Sequence, residues 1–255
     1  INEKSVRRSY SICSGVNEAL QVGIKEVPEG LFSTHANRSL RVEDIIMVAP
    51  PEGRFRYISS PQGQTLAAFA AGSGITPIMS ILKTSLSDHV DNRFHLVYGN
   101  KKPEETMFYS ELKDLEKEFK GRLSVQWIFS QANIKGSLFG RINSDIVKNA
   151  LKYLEKNVNK FFLCGPERMI ETVSNNLLDG GIDKTSILFE LFSSSVKSEE
   201  IKGKTESTSL EIIYDELTHK FENMDGKSVL DTALQNNLEV PYSCQGGVCS
   251  SCIAR

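Results

Sequence analysis

Residues 65–77 read Thr-Leu-Ala-Ala-Phe-Ala-Ala-Gly-Ser-Gly-Ile-Thr-Pro, an apolar run followed by a glycine turn and a proline. The run has the length of a buried strand, and the proline favours the first turn of a helix. Glycines at such a junction let backbone amides approach a pyrophosphate. The loop differs from the dinucleotide fingerprint G-x-G-x-x-G, because Pro77 and Ile78 stand where the third glycine would come. The stretch predicts a strand, a nucleotide-binding loop and a helix.

The alternation of strand and helix patterns continues from this stretch to residue 192. Further strands are predicted at 93–98, 123–129, 160–164 and 186–191, and helices at 77–86, 104–119, 144–155 and 166–178. Such alternation predicts an α/β fold with a parallel sheet and helices on both faces. Because parallel strands end at one edge, where open sheets bind ligands, we expect the residues that follow these strands to form one site.

The residues on either side of this region show different patterns. Residues 1–63 lack a helical period, and strand-like runs at 8–13, 19–27 and 44–49 predict part of an antiparallel barrel. Because this region is too short to close a barrel and begins at Ile1, we expect further chain upstream. Polar residues 196–207 predict a linker. The sequence beyond it predicts strands at 210–214 and 220–222, a turn at 224–226 and a helix at 228–235. The expected domains are therefore 1–63, 64–195 and 208–255.

Composition and charge exclude several classes of protein. Of 255 residues, 30 are basic and 32 acidic, so no basic excess is present to bind a nucleic-acid backbone. No apolar run approaches the roughly 18 residues of a membrane span. The five cysteines are not the even set of a secreted disulfide framework, which favours a cytoplasmic location. Neither a nucleic-acid nor a membrane partner is expected.

Three cysteines near the end of the chain predict an iron–sulfur site. Residues 244–252 read Cys-Gln-Gly-Gly-Val-Cys-Ser-Ser-Cys, which is C-x4-C-x2-C with Cys244, Cys249 and Cys252. This spacing is typical of the first three ligands of a plant-type [2Fe–2S] cluster. A zinc site or a reduced cysteine cluster is the alternative, but zinc often takes two C-x2-C pairs. We expect the fourth ligand beyond Arg255, because Cys13 and Cys164 lie in other motifs.

Five motifs, in this order, resemble those of a known family. They are 8–11 (Arg-Ser-Tyr-Ser), 30–33 (Gly-Leu-Phe-Ser), the loop 72–77, 164–167 (Cys-Gly-Pro-Glu) and the terminal cysteines. The chain is similar in these motifs to the ferredoxin–NADP+ reductase superfamily, within it to reductases with a carboxy-terminal plant-type ferredoxin domain. The resemblance implies a multi-domain fold: an antiparallel β-barrel flavin domain, an α/β parallel-sheet NAD(P) domain and an α+β β-grasp ferredoxin domain. The first and last would be present in part.

The resemblance also implies the roles of individual residues. Tyr10 would stack on the isoalloxazine ring, and Ser11 would form a hydrogen bond near flavin N5. Arg8 would face the phosphates of the flavin, where the contact is charge-assisted. Two phosphate-binding elements favour FAD over FMN. The implied catalytic residues are Ser11, Cys164 and Glu190. The implied cofactor-binding residues are Arg8, Ser9, Tyr10, Ser11, Lys25, Gly30, Phe32, Ser33, Gly72, Gly74, Ile75, Thr76, Pro77, Asn100, Lys101, Ser130, Cys164, Gly165, Pro166, Glu167 and Phe192. Without the resemblance, Tyr10 reads as a half-buried barrel tyrosine and Cys164 as a small core residue.

The choice of coenzyme is left open between NADPH and NADH. Lys101, Ser130 and the lack of an acidic residue after strand 93–98 favour NADPH, whose 2′-phosphate takes basic or hydroxyl partners. Gln131 stands where many NADPH-dependent relatives place a basic residue.

The implied function is an NAD(P)H oxidoreductase that passes electrons through FAD and a [2Fe–2S] cluster to a partner oxygenase, such as a phenylacetyl-CoA epoxidase. Three alternatives remain open. One is the same reductase serving another electron-accepting protein, such as a hybrid-cluster protein, a desaturase or a ring hydroxylase. Another is a non-enzymatic iron–sulfur sensor module, which predicts no coenzyme-dependent bleaching of the flavin. The third is a plain flavin reductase with an accessory tail, which predicts that loss of the cluster costs nothing with the true acceptor.

Overall fold

The computed structural model describes residues 6, 8–154, 158–192, 209–214, 217–222, 228–236, 238 and 240. The chain divides into two compact units. One comprises Ile1–Pro51 and Phe55–Phe192, and the other comprises Glu52–Arg54 and Ser193–Arg255.

A parallel sheet forms the centre of the first unit. Its strands are β1 (Thr65–Ala71), β2 (Arg93–Asn100), β3 (Leu123–Phe129), β4 (Leu138–Phe139), β5 (Lys160–Cys164) and β6 (Ile187–Glu190). The order is β4-β3-β2-β1-β5-β6, and every pairing is parallel. Strand β1 is central, with Ala70 opposite both Tyr98 and Cys164. The predicted parallel sheet is confirmed, and β4 is an added strand of two residues that is too short to show a period.

Helices cover both faces of the sheet, as predicted. They are α2 (Ile75–Asp88), α3 (Tyr109–Glu118), α4 (Ser144–Tyr153) and α5 (Glu167–Asp179). Successive side chains of β1 point to opposite faces. Leu66 and Ala68 belong to the core formed with α2 and α3, whereas Ala67 and Phe69 belong to the core formed with α4 and α5. Because both faces are covered, strands β1 and β5 are almost wholly apolar.

One predicted helix is interrupted. The pattern at 104–119 predicted a single helix, but the structure has a 3₁₀ turn at Pro103–Glu105 and α3 starts only at Tyr109. Phe108 between them takes a left-handed conformation with φ +58°, which a helix cannot contain. The single-helix prediction was therefore wrong at its amino-terminal end.

The three strands predicted before residue 63 are not formed among the described residues. An isolated antiparallel bridge joins Ile12 and Val22, and residues 44–49 have no regular structure. Val42, Ile45 and Met47 are 94–98% exposed, so no neighbouring strand covers them within the described part of the chain. A strand needs a partner for its backbone hydrogen bonds, which the alternating pattern alone does not supply. The flavin barrel stays a prediction.

A helix that the sequence did not predict occurs in this region. Helix α1 spans Leu31–Arg38 and carries a polar sequence without a clear apolar period. Tertiary hydrogen bonds hold it in place: the Asn37 amide donates to the Ile24 carbonyl at 3.3 Å. Among the described helices, none is long and apolar enough to cross a membrane.

The second unit contains a hairpin and a helix. Strands β7 (Ser209–Tyr214) and β8 (Leu217–Glu222) pair antiparallel, and α6 spans Val229–Gln235. Ser228 caps α6 in a capping box. Its hydroxyl accepts a hydrogen bond from the Asp231 N–H at 3.0 Å, and the Asp231 carboxylate accepts one from the Ser228 N–H. The predicted turn at 224–226 and the linker at 196–207 lie outside the described residues.

Candidate functional site

The glycine loop after β1 packs directly against the turn after β5. Gly72–Gly74 forms one 3₁₀ turn, and Gly72 takes the left-handed conformation, φ +56°, that favours glycine. At position 74 a Cβ atom would overlap the carbonyl group of Cys164 and lie 2.8 Å from the Gly165 nitrogen. Only glycine at position 74 allows the two loops to meet in this way.

The first turn of α2 connects this loop to the amino-terminal segment. Ile75, Thr76 and Pro77 are all buried there. The Thr76 hydroxyl donates to the Ser73 carbonyl at 3.0 Å, which holds the loop onto the helix. A Cβ at Gly23 would lie 2.9 Å from Thr76 Cγ2. The predicted nucleotide loop therefore contacts the segment around Gly23, close to the predicted flavin residues.

The predicted motif 164–167 forms the turn between β5 and α5. Cys164 is fully buried, Pro166 occupies the N-cap position, and Glu167 begins the helix. A Cβ at Gly165 would lie 3.2 Å from the Ala71 nitrogen, so this turn rests on the end of β1. Burial, and then the nearby Glu190 carboxylate, raise the pKa of the Cys164 thiol far above its ordinary value. The burial thus favours the protonated thiol over the thiolate, which is the form that acts as a nucleophile or a metal ligand.

Three residues predicted to be catalytic come together at this edge of the sheet. Cys164 and Glu190 are partners in the β5–β6 ladder, so their side chains lie on the same face. The Ser11 hydroxyl donates to Glu190 Oε2 at 3.3 Å, although 179 residues separate them in sequence. Burial raises the pKa of the Glu190 carboxyl, and the hydrogen bond from Ser11 opposes that shift. A hydroxyl, a thiol and a carboxyl that can hold a proton thus share one small site.

The two predicted flavin elements, 8–11 and 30–33, also meet. The rings of Tyr10 and Phe32 have centroids 5.6 Å apart and an interplanar angle of 36°. Burial raises the pKa of Tyr10, while the positive charge of Arg8 lowers it, which places Arg8 close to this ring. Arg8 and Ser9 are exposed. An aromatic face and a guanidinium are therefore presented beside the start of α1.

The start of α1 is a compact turn built by Gly30 and Ser33. Gly30 is the N-cap, and the Ser33 hydroxyl accepts a bond from the Val27 N–H at 3.2 Å. A Cβ at position 30 would lie 2.9 Å from the Val27 carbonyl oxygen, so glycine is favoured there. The first turn contains no acidic residue, and backbone N–H groups at the start of a helix attract phosphate. The geometry suits a phosphate group.

The ends of β2 and β3 stay joined beyond the strands. The Ser130 N–H donates to the Asn100 carbonyl at 3.0 Å, and the Gln131 N–H donates to the Lys101 carbonyl at 2.9 Å. The side chains of Lys101 and Gln131 are exposed at this edge. The predicted coenzyme residues of the two loops therefore form one continuous surface.

Lys25 belongs to the same neighbourhood. Glu105 in the loop after β2 has its pKa lowered by a hydrogen bond from Lys102 at 3.0 Å, and more weakly by the charges of Lys101 and Lys25. Lys102 therefore pairs with this carboxylate, and Lys101 and Lys25 add positive charge in the same region.

Two aromatic side chains at this edge are exposed. Phe192, which was predicted, is 42% exposed two residues beyond Glu190. Phe139, which was not predicted, is 64% exposed at the end of β4 and is paired with Phe129 in the β3–β4 register.

Tyr98, which is buried, was also not predicted as a site residue. Its signal in the sequence is a phenol hydroxyl directly after the apolar residues Leu96 and Val97 of β2.

The predicted cluster ligands Cys244, Cys249 and Cys252 lie outside the described residues. Within the described ranges, no group of three or more His, Cys, Asp or Glu side chains is arranged to hold a metal ion. The two described cysteines, Cys13 and Cys164, are buried and not in a disulfide. The spacing of the terminal cysteines is thus the residue-level basis for the cluster.

Two protein families match separate parts of the chain. The oxidoreductase NAD-binding domain matches residues 69–175, and the 2Fe-2S iron-sulfur cluster binding domain matches residues 212–255.

Curated relatives match almost the full length of this chain. The chain is 32% identical over 266 residues to one of the subunits of 1,2-phenylacetyl-CoA epoxidase from Escherichia coli (strain K12), covering 98% of this chain and 72% of that protein. It is 28% identical over 263 residues to the ferredoxin reductase component of 3-ketosteroid-9-alpha-monooxygenase from Rhodococcus rhodochrous, covering 97% and 71% of the two chains.

Solved structures share the fold. Phthalate dioxygenase reductase, described as a modular structure for electron transfer from pyridine nucleotides to [2Fe-2S], matches with a TM-score of 0.64 at 22% identity, covering 97% of this chain and 71% of that chain. The CS-b5R domains of human Ncb5or match with a TM-score of 0.64 at 27% identity, covering 74% and 57%.

Proposed function

We propose that this chain, which belongs to the ferredoxin–NADP+ reductase family with a carboxy-terminal [2Fe–2S] domain, is the NAD(P)H-dependent reductase of an oxygenase system. The observation that carries the proposal is the presence of the two matched domains in one chain, together with the match of relatives named as oxygenase components to 97–98% of this chain and 71–72% of their own length. Bound FAD and a [2Fe–2S] cluster supply the conversion of a two-electron hydride donor into a source of single electrons.

The residues at the sheet edge fit a nicotinamide coenzyme. The glycine loop presents backbone N–H groups at the start of α2, where a pyrophosphate binds favourably. Lys101 and Ser130 would receive the 2′-phosphate of NADPH, and exposed Phe139 offers a face on which the adenine can stack. NADPH is therefore the proposed coenzyme, and NADH is the alternative.

The amino-terminal segment fits FAD. Tyr10 and Phe32 present aromatic surface, and the start of α1 and Arg8 present positive potential for a pyrophosphate. Ser11 is held by its bond to Glu190, which orients the hydroxyl toward one side of the site. The raised pKa of Glu190 lets that carboxyl keep a proton closer to neutral pH than an exposed glutamate can. Cys164 contributes a neutral thiol beside the path of the hydride.

The proposed acceptor is an iron-dependent oxygenase in the cytoplasm. The relative with 32% identity belongs to phenylacetyl-CoA epoxidase, so that epoxidase is the first acceptor to test. A ring hydroxylase is the second, because phthalate dioxygenase reductase shares the fold. Measuring electron delivery in lysates that each contain one of these oxygenases as the sole candidate acceptor would distinguish the two.

The experiment that tests the proposed relay removes one cluster ligand. Cys249→Ser should abolish the cluster absorption and stop electron delivery to the oxygenase, while anaerobic NADPH still bleaches the flavin. Ser251→Ala, two residues away and not a ligand, is the matched control and should retain all three properties. The order of the relay is wrong if Cys249→Ser lacks the cluster but still reduces the oxygenase at the rate of the unmodified protein.

A further inference from the structure

Tyr98 is a fully buried residue near the carboxyl end of β2. It lies opposite Ala70 of β1 and Trp127 of β3, and its ring centroid is 5.9 Å from that of Trp127. A phenol hydroxyl in such an apolar place is costly unless it forms a hydrogen bond. The partners of this hydroxyl therefore decide what the residue does.

The hydroxyl of Tyr98 forms a hydrogen bond to the nucleotide loop from the buried side of that loop. Its oxygen is 2.9 Å from the Gly72 carbonyl and 3.3 Å from the Met107 carbonyl. A phenol has a single hydrogen, and the shorter distance assigns it to Gly72. The Ile75 N–H also donates to the Gly72 carbonyl. Two donors therefore hold this carbonyl toward the interior of the protein.

A fixed carbonyl also fixes the next N–H group. The peptide unit is planar and trans, so the Ser73 N–H points in the direction opposite to the Gly72 carbonyl. That direction leads away from the Tyr98 hydroxyl, and nothing lies within 4 Å of the place where a Cβ of Gly72 would stand. The outer side of the loop is thus open to a ligand.

We propose that Tyr98 is a positioning residue for the coenzyme: by holding the Gly72 carbonyl inward, it aims the Ser73 N–H at a phosphate oxygen of NAD(P)H. The proposal rests on the proposed function. Burial raises the pKa of Tyr98 far above its ordinary value, which favours the protonated phenol as the donor. Its side chain does not touch the coenzyme itself.

The test compares two tyrosine-to-phenylalanine variants of the full chain. Tyr98→Phe removes the hydroxyl under the loop. Tyr57→Phe removes a partly buried hydroxyl bonded to Asp88 at 2.8 Å, at the far end of α2, roughly 20 Å away at 1.5 Å per residue. Calorimetric titration with NADP+ and NAD+ gives the dissociation constants, and steady-state kinetics separates KM from kcat.

We expect Tyr98→Phe to bind the coenzyme about five- to tenfold more weakly, as loss of one aligned hydrogen bond allows. Its KM should rise while kcat and flavin content stay near those of the unmodified protein, and Tyr57→Phe should bind normally. Equal weakening in both variants, or normal binding by Tyr98→Phe, would overturn the proposal. If the unmodified protein binds neither coenzyme, the proposed function itself fails.

A second pair of variants keeps the test independent of folding around Tyr98. Ser73→Pro deletes the N–H group, and proline is tolerated at the first positions of a helical turn. Ser73→Ala retains the N–H. Weaker coenzyme binding by Ser73→Pro alone supports the proposal, and equal binding by the two variants contradicts it.

Discussion

Gly74 is the position at which a single methyl group should damage the coenzyme site most. In Gly74→Ala the new Cβ would overlap the carbonyl of Cys164 and lie 2.8 Å from the Gly165 nitrogen. Both obstacles are backbone atoms, at the end of β5 and in the turn that follows it, so neither can rotate away. The glycine loop or the turn after β5 must move instead.

The size of the effect follows from this geometry. Overpacking costs about 1–3 kcal/mol when side chains can adjust, and a backbone obstacle favours the upper end. At ~3 kcal/mol, and about 2–4 °C per kcal/mol for a unit of this size, the melting temperature should fall by roughly 6–12 °C. A displacement of the loop by ~1 Å should lower kcat/KM for the coenzyme by up to about 10²-fold.

The assay is thermal unfolding together with coenzyme-dependent reduction of the flavin. Gly180→Ala is the matched control, because Gly180 caps α5 with φ −77° and its nearest backbone contact is 3.2 Å. That variant should stay within about 1 kcal/mol of the unmodified protein. The reasoning is refuted if Gly74→Ala melts within about 2 °C of the unmodified protein and keeps its kcat/KM within about twofold, both margins being well below the shifts expected from overpacking.

Three further predictions concern charges. The raised pKa of Glu190 means that the native state binds this proton more tightly than the unfolded state, so its stabilising contribution is lost as pH rises above the ordinary glutamate range. The melting temperature of Glu190→Gln, relative to that of the unmodified protein, should therefore be higher at pH 8 than at pH 5. Lys83, largely buried, pairs with Glu18 at 3.1 Å and Glu111 at 2.6 Å. Removing both carboxylates (Glu18→Gln with Glu111→Gln) leaves a buried cation and should lower the free energy of unfolding in urea by about 3 kcal/mol. Lys83→Met leaves only half-exposed carboxylates and should lower it by about 1–2 kcal/mol. The reverse ranking would contradict this account. Gln131→Arg adds a cation beside Lys101 and should raise the preference for NADPH over NADH by about fivefold, measured as the ratio of kcat/KM values; an unchanged ratio would place the 2′-phosphate elsewhere.

The sequence was sufficient for five of the six strands of the central sheet, because each of them contains an apolar run, and an apolar period predicted the helices between them. The limits 123–129 and 160–164 agree with the structure, and Asn143 and Ser228 cap their helices as short polar residues do. The amino-terminal region resisted prediction for a physical reason. Its apolar alternation has the pattern of strands, but strands depend on partners that the pattern does not name.

The site was predictable to the extent that topology alone brings its parts together. Parallel strands necessarily gather Gly74, Cys164 and Glu190 at one edge. The bond between Ser11 and Glu190 spans 179 residues and could be anticipated only from a family resemblance. Phe139 and the hydroxyl of Tyr98 needed coordinates, because their exposure and hydrogen-bond direction do not follow from residue type.

The central claim is that one chain carries electrons from NAD(P)H through a flavin to a [2Fe–2S] cluster. Its most direct test is the visible absorption spectrum of the purified protein before and after anaerobic addition of NADPH, repeated with NADH. The account predicts flavin and iron–sulfur bands that both bleach with at least one coenzyme. A spectrum with these bands that neither coenzyme changes would contradict it and would favour a sensor module instead.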